Sequence, residues 1–132
     1  MQASQLARAY KSNAVSTVGP GAVVLMLMDA TLVSISSALE GFDLDHPVRR
    51  NEQIHNNLAK AQQIIAVLQA ALDLDVEGEF PGRMYALYDF MIQELQRGNS
   101  RKIDDPVKVV RGLLQDIRDA WSEMLLQEMA AN

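Results

Sequence analysis

Cysteine is absent from the 132 residues, which excludes a disulfide framework, a thiolate metal site and a cysteine nucleophile. Aromatic residues make up only 5%, and no basic aromatic patch of the kind that stacks on nucleic-acid bases occurs. Positive charge is also short, with 12 Lys and Arg against 17 Asp and Glu, a net charge of −5. That balance removes the basic footprint on which phosphate-backbone binding depends, so nucleic acid is not an expected partner. The opening "MQASQLARAYKSNAVS" lacks the apolar core of a secretory signal, and together with the missing cysteines this fits a cytoplasmic location. Glycine-rich phosphate loops and activated serines are missing too. His46 and His55 stand too far apart in sequence to share one helical face as metal ligands, and Glu52 with His55 gives only one copy of the Glu-x-x-His pattern of which a di-metal bundle needs two. Catalysis, a metal and a cofactor are therefore not expected.

What the sequence does have is apolar surface. The run "GAVVLMLM", Gly21 to Met28, is too apolar for a helix that packs one face on a core and shows the other to water. It is too short for a membrane span, which needs about 20 predominantly apolar residues, because Asp29, Ser34, Ser36 and Ser37 soon interrupt it. Insertion in a membrane is not expected, so protein must cover the run. Apolar residues reach 48% and charged residues 22%, the composition of a folded domain, and the length suits one core.

Along the chain, residues 1–19 carry scattered apolar positions, Leu6, Tyr10 and Val15, and read as a loosely docked N-terminal arm. Pro20 suits a first helical turn, Ser16 or Thr17 is placed to cap it, and Gly41 supplies a stop, giving a helix over residues 20–40. A second helix starts near Pro47 with Ile54, Leu58, Ala61, Ile65, Leu68 and Leu72 spaced alternately four and three apart, a heptad-like seam. The segment "DLDVEGEFPG" turns the chain. A third helix places Met84, Leu87, Met91 and Leu95 on one face and ends at Gly98. A fourth opens at Asp105 as N-cap before Pro106 and aligns Val107, Val110, Leu114, Ile117, Trp121 and Met124. Four such seams joined by short connections predict an all-α, antiparallel up-down-up-down four-helix bundle in a single domain, residues 1–132. Tyr88 and Trp121 fall on apolar seams and belong in or beside the core.

Three blocks of this sequence fit the motif pattern of one protein family. In "AYKSNAVSTVGPGAVVLMLMDA", Tyr10, Asn13, Val15, Thr17, Pro20, Met26, Leu27 and Asp29 fall where the family has its tyrosine, asparagine, threonine, proline and Met-Leu-aromatic-Asp series. In "LAKAQQIIAVLQAALDLDVEG", Lys60, Ala61, Ile64 and Ile65 match its Lys-Ala-x-x-Ile-Ile run, and Leu72, Asp73 and Gly78 its Leu-Asp before a glycine. In "LYDFMIQEL", Leu87 to Met91 match its Leu-Tyr-Asp-aromatic-Met series, with Asn99 and Trp121 following at suitable distances. The chain departs from the family pattern at Met28, where an aromatic is common, at Ala30, where glycine is common, and at Leu25, usually polar or charged.

Through these residues the chain resembles the flagellar export chaperone family, FliS, and the resemblance implies a non-enzymatic chaperone that holds the disordered C-terminal segment of flagellin in the cytoplasm, prevents premature polymerisation and delivers the subunit to the flagellar type III export gate, with flagellar regulators as further partners. The alternative is a self-associating structural or adaptor bundle, a homodimer. The family alignment assigns Val23, Met26, Leu27 and Ala30 to the core stripe of the first helix. Leu25, Met28 and Leu32 then form a second stripe that is either wrapped by the bundle or a docking surface. The expected client contacts are Leu25, Met28 and Leu32, Ile64 and Val67 off the second helix's main seam, and Tyr10 on the arm, which covers apolar surface when no client is present. Methionine adapts to varied apolar partners, although most of the seven belong in the core.

Overall fold

The computed structural model describes residues 19–131, so the arm and Tyr10 lie outside the described residues. The described chain forms helices α1 (Pro20–Gly41), α2 (Pro47–Ala70), α3 (Phe80–Arg101) and α4 (Asp105–Ala131), with no strand among them. Each helix packs on its neighbours in sequence, α1 also packs on α4, and the diagonal pairs do not meet. Short connections force neighbours to run antiparallel, so the result is the up-down-up-down bundle expected from the seams.

Helix starts follow local chemistry. Pro47 opens α2, and the His46 ring accepts the Arg49 N–H at Nδ1, 3.3 Å away. At α1 the capping residue is Gly19, which offers no side chain, rather than Ser16 or Thr17. In α4 the Asp104 carbonyl accepts the Lys108 N–H, placing the cap one residue earlier than the sequence reading.

The seams of α2, α3 and α4 pack inward as their periodicity requires. Ile54, Leu58, Ala61, Ile65 and Leu68 are buried from α2, and Met84, Met91 and Leu95 from α3. From α4, Val107, Val110 and Leu114 are buried, Ile117 and Trp121 lie partly buried against them, and Met124 is exposed.

Two glycines expected to stop helices act otherwise. Gly41 ends α1 without a left-handed backbone, and a Cβ there would meet Gln53 and Ile54 at 3.1 to 3.2 Å, so it permits close approach of α2. Gly98 lies inside α3, which runs on to Arg101 and ends with Lys102 in the left-handed conformation at φ 53°. A Cβ on Gly98 would sit 2.7 Å from Val107 Cγ2 and 3.2 Å from the Ile103 carbonyl oxygen, so its missing side chain admits α4. Nearby, the Lys102 ammonium donates to the Asn99 side-chain oxygen at 2.6 Å and Asn99 Nδ2 meets His55 Nδ1 at 3.0 Å, which ties α3 to α2 and occupies His55 structurally.

The contrast between glycines is measurable. Gly112 has nothing within 4 Å of a built Cβ, so Gly112→Ala should stabilise the bundle by about 0.5–1 kcal/mol through helix propensity. Gly98→Ala carries the same propensity gain but crowds a stiff valine and a carbonyl, a strain of about 1–3 kcal/mol, and should be destabilising on balance. Urea denaturation of both variants checks the sign.

Candidate functional site

Helix α1 is apolar on nearly every side, and by length and composition it could cross a bilayer. In the structure one face of it is built into the bundle core instead. That face carries Met28, Leu32 and Ile35, at 1%, 9% and 0% exposure, with Ala38 and the small polar Thr31 beside them. Thr31 is accommodated because its hydroxyl donates to the Leu27 carbonyl at 2.8 Å. The stripe assigned to the core from sequence is the outward one: Val23 and Met26 are 45% and 37% exposed, Ala30 is exposed, and only Leu27 is partly buried, while Val33 extends the outward row at 67% exposure. Of the two alternatives left open for Met28 and Leu32, the bundle wraps them: both belong to the buried core cluster, so their nomination as exposed client contacts is corrected.

Contacts on both flanks fix this rotation. On the α4 side, Arg118 donates to Asp29, with Nε 2.7 Å from Oδ1, and the Asp29 and Asp119 carboxylates together hold the guanidinium pKa above its ordinary value. Trp121 Nε1 donates to the Gly21 carbonyl at 2.8 Å, and the absence of a side chain on Gly21 makes room for Leu125. On the α2 side, Gln53 Nε2 donates to the Ser37 carbonyl at 2.8 Å. With both flanks held, Val23, Met26, Ala30 and Val33 can only point outward.

The Gln53 contact also sets the register with α2. Counting back along α1 from Ser37 and forward along α2 from Gln53, at equal rise per residue, brings Met26 to the level of Ile64 and Val23 to the level of Val67. Ile64 stands three turns beyond Gln53 on the same α1-facing side and is partly buried, while Val67 is 55% exposed. Leu25, on the α4 flank of α1, is partly buried. An apolar strip thus runs along the outside of α1 and onto α2, where the exposed Lys60, two turns beyond Gln53 and level with Ala30, borders it. Of the side chains nominated from sequence, Ile64 and Val67 adjoin it, Leu25 lies beyond its other edge, Met28 and Leu32 are inside the core, and Tyr10 is outside the described residues. Sequence reasoning missed Val23, Met26 and Val33 as surface residues.

A separate hollow opens where α1 begins and α2 ends. Its lining includes Tyr88, which is 3% exposed and whose phenol pKa is pushed up by burial.

Comparison with known proteins gives this surface a context. The family model described as "Flagellar protein FliS" matches residues 2–128. The chain belongs to the FliS family. It is 35% identical to the flagellar secretion chaperone FliS of Bacillus subtilis over 120 residues, 91% of this chain and 86% of that protein. The Salmonella typhimurium flagellar secretion chaperone FliS is 31% identical over 113 residues, covering 85% and 81%. FliSB of Pseudomonas aeruginosa, also a flagellar secretion chaperone, is 28% identical over 110 residues, covering 81% and 82%. The resemblance seen in the three sequence blocks is thus a family relationship along the chain, and the apolar strip belongs to a protein of the flagellar secretion chaperone family.

Because the Trp121 indole N–H helps set the rotation of α1, Trp121→Phe should destabilise the fold by about 0.5–1.5 kcal/mol, the net worth of one hydrogen bond. Chemical denaturation measures it. A loss above about 3 kcal/mol would show that ring packing, rather than the N–H bond, holds the helix end.

Proposed function

We propose that the chain is a cytoplasmic chaperone that binds the disordered C-terminal segment of flagellin, prevents its premature polymerisation and delivers it to the flagellar type III export apparatus. The observation that carries this reading is the outward row of Val23, Met26, Ala30 and Val33, about three turns of α1 whose outer face carries no charged side chain. A contiguous exposed apolar patch marks an interaction site, because water penalises leaving it bare. A disordered amphipathic segment fits it by laying its own apolar face along the helices. Such coupled folding buries roughly 1,000 to 3,000 Å² while ordering the segment offsets part of the gain. The proposed contacts are Val23, Met26 and Val33 with Ile64, Val67 and Leu25, and Tyr10 is assigned to cover the strip before the client arrives. Methionine at position 26 suits a surface that meets more than one side-chain shape.

The test is a calorimetric titration of the flagellin tail into wild type and into Met26→Glu with Val67→Glu. Both sites are exposed, so the variant should keep its fold. Each buried anchor lost from an interface removes about 1 kcal/mol or more, so binding should weaken about 10- to 100-fold. Wild-type binding should persist at high salt, since apolar burial is not screened as charge pairing is. Undiminished binding by the variant would overturn the site assignment. If wild type is then dimeric in solution and the variant monomeric, the strip joins two copies instead.

A further inference from the structure

Along the edge of α2 that faces α1, one charged side chain stands among uncharged ones. Gln53, Asn57, Lys60, Ile64 and Val67 follow one another at spacings of four, three, four and three, so they form a single row on the helix. On one side of Lys60 the row is apolar, through Ile64 and Val67. On the other it is amide, and Asn57 with Asn56 lines an open hollow of about 490 Å³ that also takes in Ser37, Arg49 and Glu52. Lys60 stands at the boundary, level with Ala30, the smallest side chain of the outward row on α1.

This cation is isolated. The positions three and four residues away on α2 hold Asn56, Asn57, Gln63 and Ile64, none of them acidic. Around its level on α1 stand Leu27, Ala30, Val33 and Ser34. The nearest acid of that helix, Asp29, faces the α4 flank and is held by Arg118 at 2.7 Å. Among the described residues Lys60 has no ion-pair partner. Residues 1–18 contain neither Asp nor Glu, so that segment brings no side-chain carboxylate to it either. Acidic residues outnumber Lys and Arg by 17 to 12, yet none is placed to neutralise this one.

An apolar strip alone holds a client poorly in register, because a slip of one turn exchanges one apolar contact for another of similar worth. A single polar position breaks that degeneracy in a coiled-coil seam, and complementary charge fixes register more than it adds affinity. We propose that Lys60 sets the register of the client on the α1 strip by pairing with one carboxylate of its tail. The recognised segment lays apolar side chains over Val23, Met26, Ile64 and Val67. It carries an Asp or Glu about 6 to 10 Å further along, the spacing from Ile64 and Val67 to Lys60 at 1.5 Å per residue. The aliphatic stem of Lys60 extends the apolar surface beside Ala30 while the ammonium stays at the rim. The inference rests on the reading of the chain as a chaperone for a disordered tail, and it adds the chemical feature by which that tail is positioned. The pair lies at the exposed edge, so it is screened by salt while burial on the strip is not.

The test is a charge exchange between Lys60 and the flagellin tail. Lys60→Glu, at an exposed position, should keep its fold and bind the tail about three- to tenfold more weakly at low salt, a difference that shrinks at about 0.5 M salt. Lys60→Gln should fall between the two. Each Asp and Glu of the tail is then changed to Lys, one per tail variant. One of these tails should bind Lys60→Glu better than it binds wild type, and the others should affect both proteins alike. Unchanged binding by Lys60→Glu, the lack of any rescuing position, or rescue spread evenly over several acids would each overturn the proposal. Failure of the chaperone reading looks different, because the flagellin tail would then not bind wild type at all. Two designed amphipathic peptides test Lys60 in that case, with apolar residues at helical spacing and either Glu or Lys at one flanking position. Wild type should prefer the Glu peptide and Lys60→Glu the Lys peptide, and equal binding of both peptides to wild type would overturn the proposal.

Discussion

A helix that is apolar on all sides cannot be fully buried by a square four-helix bundle. Each helix in such a bundle meets two neighbours and turns roughly half of its circumference outward, and the diagonal partner is too far away to cover the rest. For α2, α3 and α4 this is harmless, because their outward positions are mainly polar or charged. For α1 it leaves Val23, Met26, Ala30 and Val33 in water whichever way the core is filled. The exposed apolar strip is a consequence of that geometric limit, and the remaining structure decides only which face of α1 is left bare.

That decision is made by polar contacts at the flanks. Asp29 is drawn to Arg118 on α4, Ser37 to Gln53 on α2, and the first turn of α1 is held by Trp121. None of these is strong alone, and the Asp29–Arg118 pair is partly exposed. Their role is directional, since a rotation of α1 by a third of a turn would exchange one greasy face for another at little hydrophobic cost but would break all of them. The outward face, the proposed client face, is thus specified by side chains that do not belong to it.

This accounts for what the sequence allowed to be read and what it did not. In α2 the alternation of Ile54, Leu58, Ala61, Ile65 and Leu68 with polar residues fixes the phase, and every one of them is buried. In α1 two stripes of equal spacing compete, and no polar face excludes either. Ser34, read as an interruption, is in fact buried, and so is Thr31, which turns its hydroxyl back to its own helix. The glycines were misleading for a related reason: Gly41 and Gly98 look like stops along the chain, yet both are required by a neighbour that only the tertiary structure supplies. Ile64 and Val67 were legible as off-seam residues, but their place beside the α1 strip depends on the register set by Gln53.

Met26 and Met28 stand two positions apart on α1, one at 37% and the other at 1% exposure, so they separate the outer face from the inner one within a single turn. The most direct test is an NMR titration of protein labelled with carbon-13 at the methionine methyl groups, with the flagellin tail as titrant. The account expects the Met26 methyl resonance to move in proportion to bound tail while that of Met28 stays in place. Movement of Met28 together with buried Met91, and none at Met26, would contradict it and show that the tail enters the core instead of lying on the outside of α1.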